Sequence, residues 1–86
     1  MTTLSDNTGN SFEDAIVIKG AKDSEEGIGA EYEYLVEKFG IPKIGWKFIR
    51  QSLIPAEDKY FDKLIIEVSN GKEVEIYFDI TEFFGK

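Results

Sequence analysis

The chain has 86 residues, contains no histidine and no cysteine, and carries a formal net charge of −7 at pH 7. This length fits a single domain, and the missing residue types exclude disulfides and the side chains that most often act as nucleophiles, proton carriers and metal ligands near neutral pH. Because so acidic a chain repels polyanions, we expect it not to bind nucleic acid.

Residues 1–11 are small and polar, and after Met1 they contain one apolar residue, Leu4. This composition predicts a mobile N-terminal tail at 1–11, followed by a single domain at 12–86. The tail lacks the basic and apolar stretches of a signal peptide, and no run in the chain approaches the ~20 apolar residues that cross a bilayer. We therefore expect a cytoplasmic protein that does not bind membranes.

A strand and a helix are predicted next. Residues 15–18 (Ala-Ile-Val-Ile) form a short, β-branched run typical of a buried strand. Asp23 and Glu26 have the spacing of a capping box, in which each side chain accepts a hydrogen bond from a free backbone N–H. Gly40 and Pro42 stop a helix, so we expect the helix to span about 24–39.

The predicted helix has one apolar face. At about 3.6 residues per turn, five side chains fall on the face expected to pack on a sheet: Ile28, Tyr32, Leu35, Val36 and Phe39. Tyr34 falls on the opposite flank beside Ala30, so its ring is expected to be accessible.

Three strands are predicted after the helix. Residues 46–54 are rich in aromatic and β-branched side chains and are followed by Pro55, which we expect to end the strand. Residues 60–68 and 73–80 form the arms of a hairpin. A two-residue Asn70-Gly71 loop would scatter its apolar residues, whereas a three-residue loop with Gly71 in the left-handed region aligns them on one face. The second register pairs Ile66 with Val74, Leu64 with Ile76, and Tyr60 with Ile80.

These elements predict a two-layer α+β fold in β-α-β-β-β order, with one helix on a mainly antiparallel sheet that ends in a C-terminal hairpin. The sheet residues expected to face the helix are Trp46 or Phe48, Leu64, Ile66, Ile76 and Phe78. The opposite face of the hairpin carries acidic and aromatic side chains together with Lys63, which we expect to lie opposite Tyr77 and diagonal to Glu75.

The sequence offers little for catalysis. Asp62 and Asp79 lie in aromatic surroundings, where burial raises a carboxyl pKa, but the preferred register puts them on opposite faces. We expect Asp79 to bond N–H groups of a terminal turn at 81–84. Gly27 and Gly29 lie inside the predicted helix and do not form a phosphate loop, and no loop completes a calcium-ligand pattern. We predict no enzyme activity, no cofactor and no metal.

Aromatic and basic residues without a clear place in the core point to an interaction surface, although single exposed aromatics are common on proteins. The candidate partner-binding residues are Tyr34, Trp46, Arg50, Phe61 and Tyr77. They predict a protein-interaction module, of a binding or of an inhibitor or immunity type, with a basic protein partner or a second copy of the chain. The alternative is a small-ligand-binding or carboxylate-based catalytic domain that uses Asp62, Asp79, Tyr77 or Arg50 in a cleft.

Overall fold

The computed structural model describes residues 2–85. It contains the strands β1 (Thr3–Leu4), β2 (Ile16–Lys19), β3 (Trp46–Ala56), β4 (Lys59–Val68) and β5 (Glu73–Asp79), and the helix α1 (Ser24–Phe39). The strands form one sheet in the order β1-β2-β5-β4-β3, in which β2 and β5 are parallel and the other neighbours are antiparallel. The predicted α+β fold is confirmed. Among the described residues, no helix has the length and apolar character needed to span a bilayer.

The last hairpin has the predicted register. Ile66 pairs with Val74 and Leu64 with Ile76. Gly71 has a φ of +86°, and its N–H donates to the carbonyl of Val68 at 2.8 Å, so the loop has three residues and a left-handed glycine. The pairing places one set of apolar side chains on one sheet face, called here the inner face, which packs against α1: Leu64, Ile66, Ile76 and Phe78.

Strand β3 is longer than predicted. It continues through Pro55 to Ala56 and reaches β4 through a turn in which Glu57 has a φ of 56°. The prediction that Pro55 ends the strand is wrong because β3 lies at the edge of the sheet, where a residue without an N–H is tolerated. A bulge between Phe48 and Arg50 shifts the register of this strand by one residue.

The segment before β2 is part of the fold, although the sequence predicted no regular element there. Thr3 and Leu4 pair with β2, and the carbonyl of Gly9 accepts a hydrogen bond of 2.8 Å from the N–H of Tyr77. Its predicted mobility remains a prediction for solution measurements. Met1, in the predicted tail, and Lys86, in the predicted domain, lie outside the described residues.

The bounds of α1 match the prediction, but its buried face does not. The helix begins after Asp23, whose carboxylate accepts the N–H of Glu26 at 2.9 Å. Its buried residues are Gly27, Ala30, Glu31 and Leu35, whereas Ile28, Tyr32 and Val36 of the predicted apolar face are exposed. The helix is therefore rotated by roughly a quarter turn from the predicted orientation.

A close contact at Gly27 explains this rotation. A Cβ atom there would lie 2.3 Å from Cζ of Phe83, which is buried in the turn after β5. Helix and turn approach this closely because the position has no side chain. The small residues Gly27 and Ala30 thus face inward, and the larger Ile28 and Tyr32 turn toward β3.

Candidate binding groove between the helix and the edge strand

The inner face of the sheet is covered unevenly. Inner-face side chains of β2, β4 and β5 pack under α1, but on β3 only Trp46 is buried. Phe48 and Leu53 of β3 and Ile28 and Tyr32 of α1 each keep between 40% and 50% of their surface exposed. The channel between these two walls is called here the α1–β3 groove.

The first of two depressions in the groove lies near the start of β3. Its volume is about 530 Å³, and it is lined by Tyr32, Pro42, Lys43, Trp46, Lys47 and Phe48. The rings of Tyr32 and Trp46 are stacked, with centroids 6.2 Å apart and an interplanar angle of 25°. The indole N–H of Trp46 donates to the carbonyl of Gly40 at 2.9 Å, and this bond fixes the position of the Trp46 ring in the depression. The depression is largely apolar, with two lysines at its rim.

The second depression lies about one helical turn further along α1, toward its start. It has a volume of about 240 Å³ and is lined by Ser24, Ile28, Gln51, Leu53, Asp62, Ile80, Phe83 and Phe84. Its walls are apolar apart from Ser24, Gln51 and the carboxylate of Asp62. Apolar walls around a few convergent polar groups are typical of ligand sites.

Asp62 lines this second depression and interacts with another buried carboxyl group, Glu31, which is not itself among the lining residues. Glu31 of α1 is 1% exposed and Asp62 of β4 is 4% exposed. Burial, followed by the hydrogen bond to Asp62 and the negative charge of Asp62, raises the pKa of Glu31 to about 10. Glu31 is therefore protonated at neutral pH. Perturbed carboxyl groups beside a cleft are characteristic of functional sites, although structural networks also contain them.

The two carboxyl groups of this pair differ in their hydrogen-bond partners. The side-chain amide of Gln51 donates to both carboxylate oxygens of Asp62, at 2.8 and 2.6 Å. Oε2 of Glu31 has no hydrogen-bond partner among the described residues. Buried polar atoms without a partner are rare in folded proteins, so this oxygen is a candidate acceptor for a ligand group.

The sequence analysis did not identify Glu31. A glutamate is normally treated as charged and exposed, and the next two glutamates of the helix, Glu33 and Glu37, are exposed. One signal was present: Glu31 lies one turn before Leu35, which is fully buried. Burial is the main cause of its raised pKa, and Asp62, which adds to it, is 31 positions away along the chain.

Two of the five predicted partner-binding residues pack into the core. Tyr34 was expected to have an accessible ring; it is half-buried and makes an edge-to-face contact with Phe78 at a centroid distance of 5.7 Å. Trp46 is buried too, although one side of it lines the first depression. Only Trp46 of these two reaches the groove.

The other three predicted residues lie on the outer face of the sheet. Phe61 is buried because Phe12 covers it, with ring centroids 5.1 Å apart, and Phe12 also contacts the half-buried Tyr77 at 4.7 Å. Arg50 is exposed on β3 and pairs in register with Ile65. Phe61 and Tyr77 share a face as expected, but Phe12 from the N-terminal segment occupies the space above them.

The two predicted aspartates lie on opposite faces of the sheet, as expected. Asp62 pairs in register with Phe78 on the inner face, and Asp79 pairs with Phe61 on the outer face. Oδ1 of Asp79 accepts hydrogen bonds from the backbone N–H and the hydroxyl of Thr81, which confirms its predicted role in the terminal turn. The pair therefore does not form a shared site.

Within residues 2–85, no group of three or more His, Cys, Asp or Glu side chains is arranged to hold a metal ion. No protein-family model, curated protein or solved structure matches the chain. The functional argument therefore depends on the geometry of the groove.

Proposed function

We propose that the protein is a small interaction module whose α1–β3 groove binds an apolar segment of a basic partner protein. The supporting observation is the alignment of four exposed apolar side chains, Ile28 and Tyr32 on one wall and Phe48 and Leu53 on the other. Exposed apolar residues are usually scattered, whereas continuous apolar strips mark interaction surfaces. Aromatic groups in such a groove bury large areas at little entropic cost.

The charge distribution favours a basic partner. The net charge of −7 attracts positively charged proteins over long distances and accelerates their association. Glu25, Glu33 and Glu37 are exposed on α1. The rim of the first depression differs, because Lys43 and Lys47 lie there. The bound segment is therefore expected to place basic residues near Asp62 and an acidic residue or carboxylate near the two lysines.

The open edge of β3 is a less suitable docking site than the groove. Pro55 has no N–H to donate, and the bulge after Phe48 interrupts the regular spacing of backbone groups. Lys47 and Arg50 add charge to this strand. These features are the ones that protect edge strands from pairing with other chains. We therefore propose that side chains in the groove, rather than an added strand, provide most of the contact.

The proposal is one of binding, of inhibitor or immunity type, and not of catalysis. Asp62 and Asp79, the carboxylates considered for acid–base chemistry, lie on opposite faces of the sheet and cannot act on one substrate. A chain without cysteine is compatible with the reducing cytoplasm, where we propose that the partner is met.

A selection with random peptides tests this function. The full chain is immobilised and exposed to a random-sequence peptide library, and the enriched peptides are then measured against Leu53→Asp and, as the matched control, Ser52→Asp. The control places the same charge one residue away on the opposite sheet face, where Ser52 pairs with Lys63.

We expect enriched peptides that combine apolar residues with Lys or Arg. Leu53→Asp should weaken their binding at least tenfold, and Ser52→Asp should change it less than twofold. Failure to enrich peptides, or equal losses in the two variants, would contradict the groove as the binding site.

A further inference from the structure

We infer that the second depression binds the ammonium group of a lysine side chain from the partner segment, with the carboxyl groups of Glu31 and Asp62 as its acceptors. This inference rests on the proposed function, because the lysine belongs to the segment in the α1–β3 groove. It specifies that the basic residue recognised by the groove is a lysine and that it binds in the second depression, near the start of α1.

The carboxyl pair has the acceptors that such a group requires. An ammonium group carries three N–H donors and no acceptor. Oε2 of Glu31 is buried without a partner, and Asp62 lines the depression beside it. Of the described residues that line this depression, none is a cation. Two carboxyl groups buried without a neighbouring cation are costly, and a bound ammonium supplies the missing positive charge.

The depression also fits the stem of a lysine. Ile28, Leu53 and Phe83 provide apolar walls around about 240 Å³, and a lysine buries its four-carbon stem along such surfaces. Arginine fits less well, because its planar group is best bound by a carboxylate with both oxygens available. Both oxygens of Asp62 already accept hydrogen bonds from Gln51. The three donors of a compact ammonium group at Asp62 need no such pair of oxygens, and one of them is available for Glu31, the neighbour of Asp62.

On binding, the ammonium group of the ligand replaces the proton of Glu31 as the positive charge beside Asp62. Without the ligand, Glu31 is protonated at neutral pH because burial and Asp62 raise its pKa. An ammonium group beside the pair favours the ionised form of Glu31, so the O–H proton passes to solvent while the ligand brings its own charge. The neighbouring groups do not interfere: Gln51 on β3 is neutral, the inner-face residues of β2 and β5 are apolar, and the terminal turn contributes Phe83.

A small-molecule titration tests the site without the partner. The full chain is titrated with n-butylamine, which has the stem and ammonium of lysine, and with 1-butanol as the uncharged control. Amide chemical shifts report binding, and the carboxyl ¹³C shift of Glu31 reports its ionisation. The variants are Glu31→Gln, which keeps a neutral side chain of the same size, and Asp62→Asn.

We expect butylamine to bind at least tenfold more tightly than butanol and to move the Glu31 carboxyl shift toward the ionised value. Each variant should weaken amine binding at least tenfold. Equal binding of the alcohol, or unchanged amine binding in Glu31→Gln and Asp62→Asn, would overturn the inference.

A peptide arm identifies the source of the ammonium group. A selected peptide is compared with its Lys→norleucine analogue, which lacks only the ammonium. We expect at least a tenfold loss in the wild type and less than twofold in Glu31→Gln. If the peptide binds the groove and norleucine costs nothing, the lysine inference is wrong while the proposed function stands. If no peptide binds the groove, the proposed function is wrong, and a partner's lysine at this site is rejected with it.

Discussion

Glu31 of α1 and Asp62 of β4 bring two carboxyl groups together in the interior of the protein, beside the open side of β3. Asp62 is bonded to Gln51 of the edge strand, so the pair connects the helix, an interior strand and the floor of the groove. The groove therefore has apolar walls and, beside them, a pair of interacting carboxyl groups.

The stability of the protein should depend on pH through Glu31. Its pKa is about 10 in the folded state, compared with an ordinary value of 4.5, so unfolding at a pH between these values releases a proton. The free energy of unfolding should therefore fall as pH rises, by up to about 1.4 kcal/mol per pH unit. The stabilising contribution is complete below pH 4.5 and is lost above pH 10. Urea unfolding at pH 6, 7, 8 and 9 measures this slope.

The composition of the chain makes this measurement selective. Without histidine and cysteine, the ordinary groups that titrate between pH 6 and 9 reduce to the α-amino group. Glu31→Gln carries no titrating proton and should remove most of the slope. A wild-type chain whose stability is constant over this range would show that Glu31 is not protonated in the folded state.

Two glycines of α1 should respond oppositely to alanine. Gly27→Ala places a methyl group 2.3 Å from the ring of Phe83 and should destabilise the fold by about 1–3 kcal/mol. Gly29→Ala meets no atom within 4 Å and should stabilise the helix by about 0.5–1 kcal/mol. Chemical denaturation of both variants provides the comparison. Stabilisation by both substitutions would show that α1 does not contact Phe83 as described.

The hairpin loop should require a residue that tolerates a positive φ. Gly71 has a φ of +86° and open space around its α-carbon, so Gly71→Ala tests the backbone conformation alone. We expect a loss of about 1 kcal/mol, and a smaller loss for Gly71→Asn, because asparagine enters the left-handed region more easily. Thermal unfolding of the wild type and of the two variants measures these differences in stability. Equal stability of wild type and Gly71→Ala would contradict a left-handed backbone at this position.

The N-terminal segment should protect one amide of β5 from exchange. The N–H of Tyr77 donates to the carbonyl of Gly9 at 2.8 Å, so its hydrogen exchange should be slow in the full chain. Removal of residues 1–10 should accelerate exchange at Tyr77 at least tenfold while Ile65 in β4 changes little. Free exchange at Tyr77 in the full chain would instead support the mobile tail predicted from composition.

The hairpin was predictable because two independent signals agree. Gly71 allows the three-residue loop, and that loop aligns Leu64 with Ile76 and Ile66 with Val74. Both signals are local, since the arms are adjacent in the chain. The bounds of α1 were predictable for the same reason, from Asp23 at its start and Gly40 at its end.

The groove was not predictable because its causes are distant in sequence. The rotation of α1 depends on the contact between Gly27 and Phe83, and Glu31 interacts with Asp62, a residue likewise distant from the helix in the chain. Apolar periodicity assigned Ile28 and Tyr32 to the core because it considers the helix alone and not the elements that pack against it. The contact of Phe12 with Phe61 was missed for a similar reason, since the sequence assigned Phe12 to no element and left the outer face uncovered.

The most direct test of the central claim maps a selected peptide onto the chain by amide chemical shifts. The account predicts that the largest changes follow both walls of the groove, at Ile28 and Tyr32 on α1 and at Phe48 and Leu53 on β3. Changes confined to the outer face around Phe61 and Tyr77, with none along α1, would contradict it.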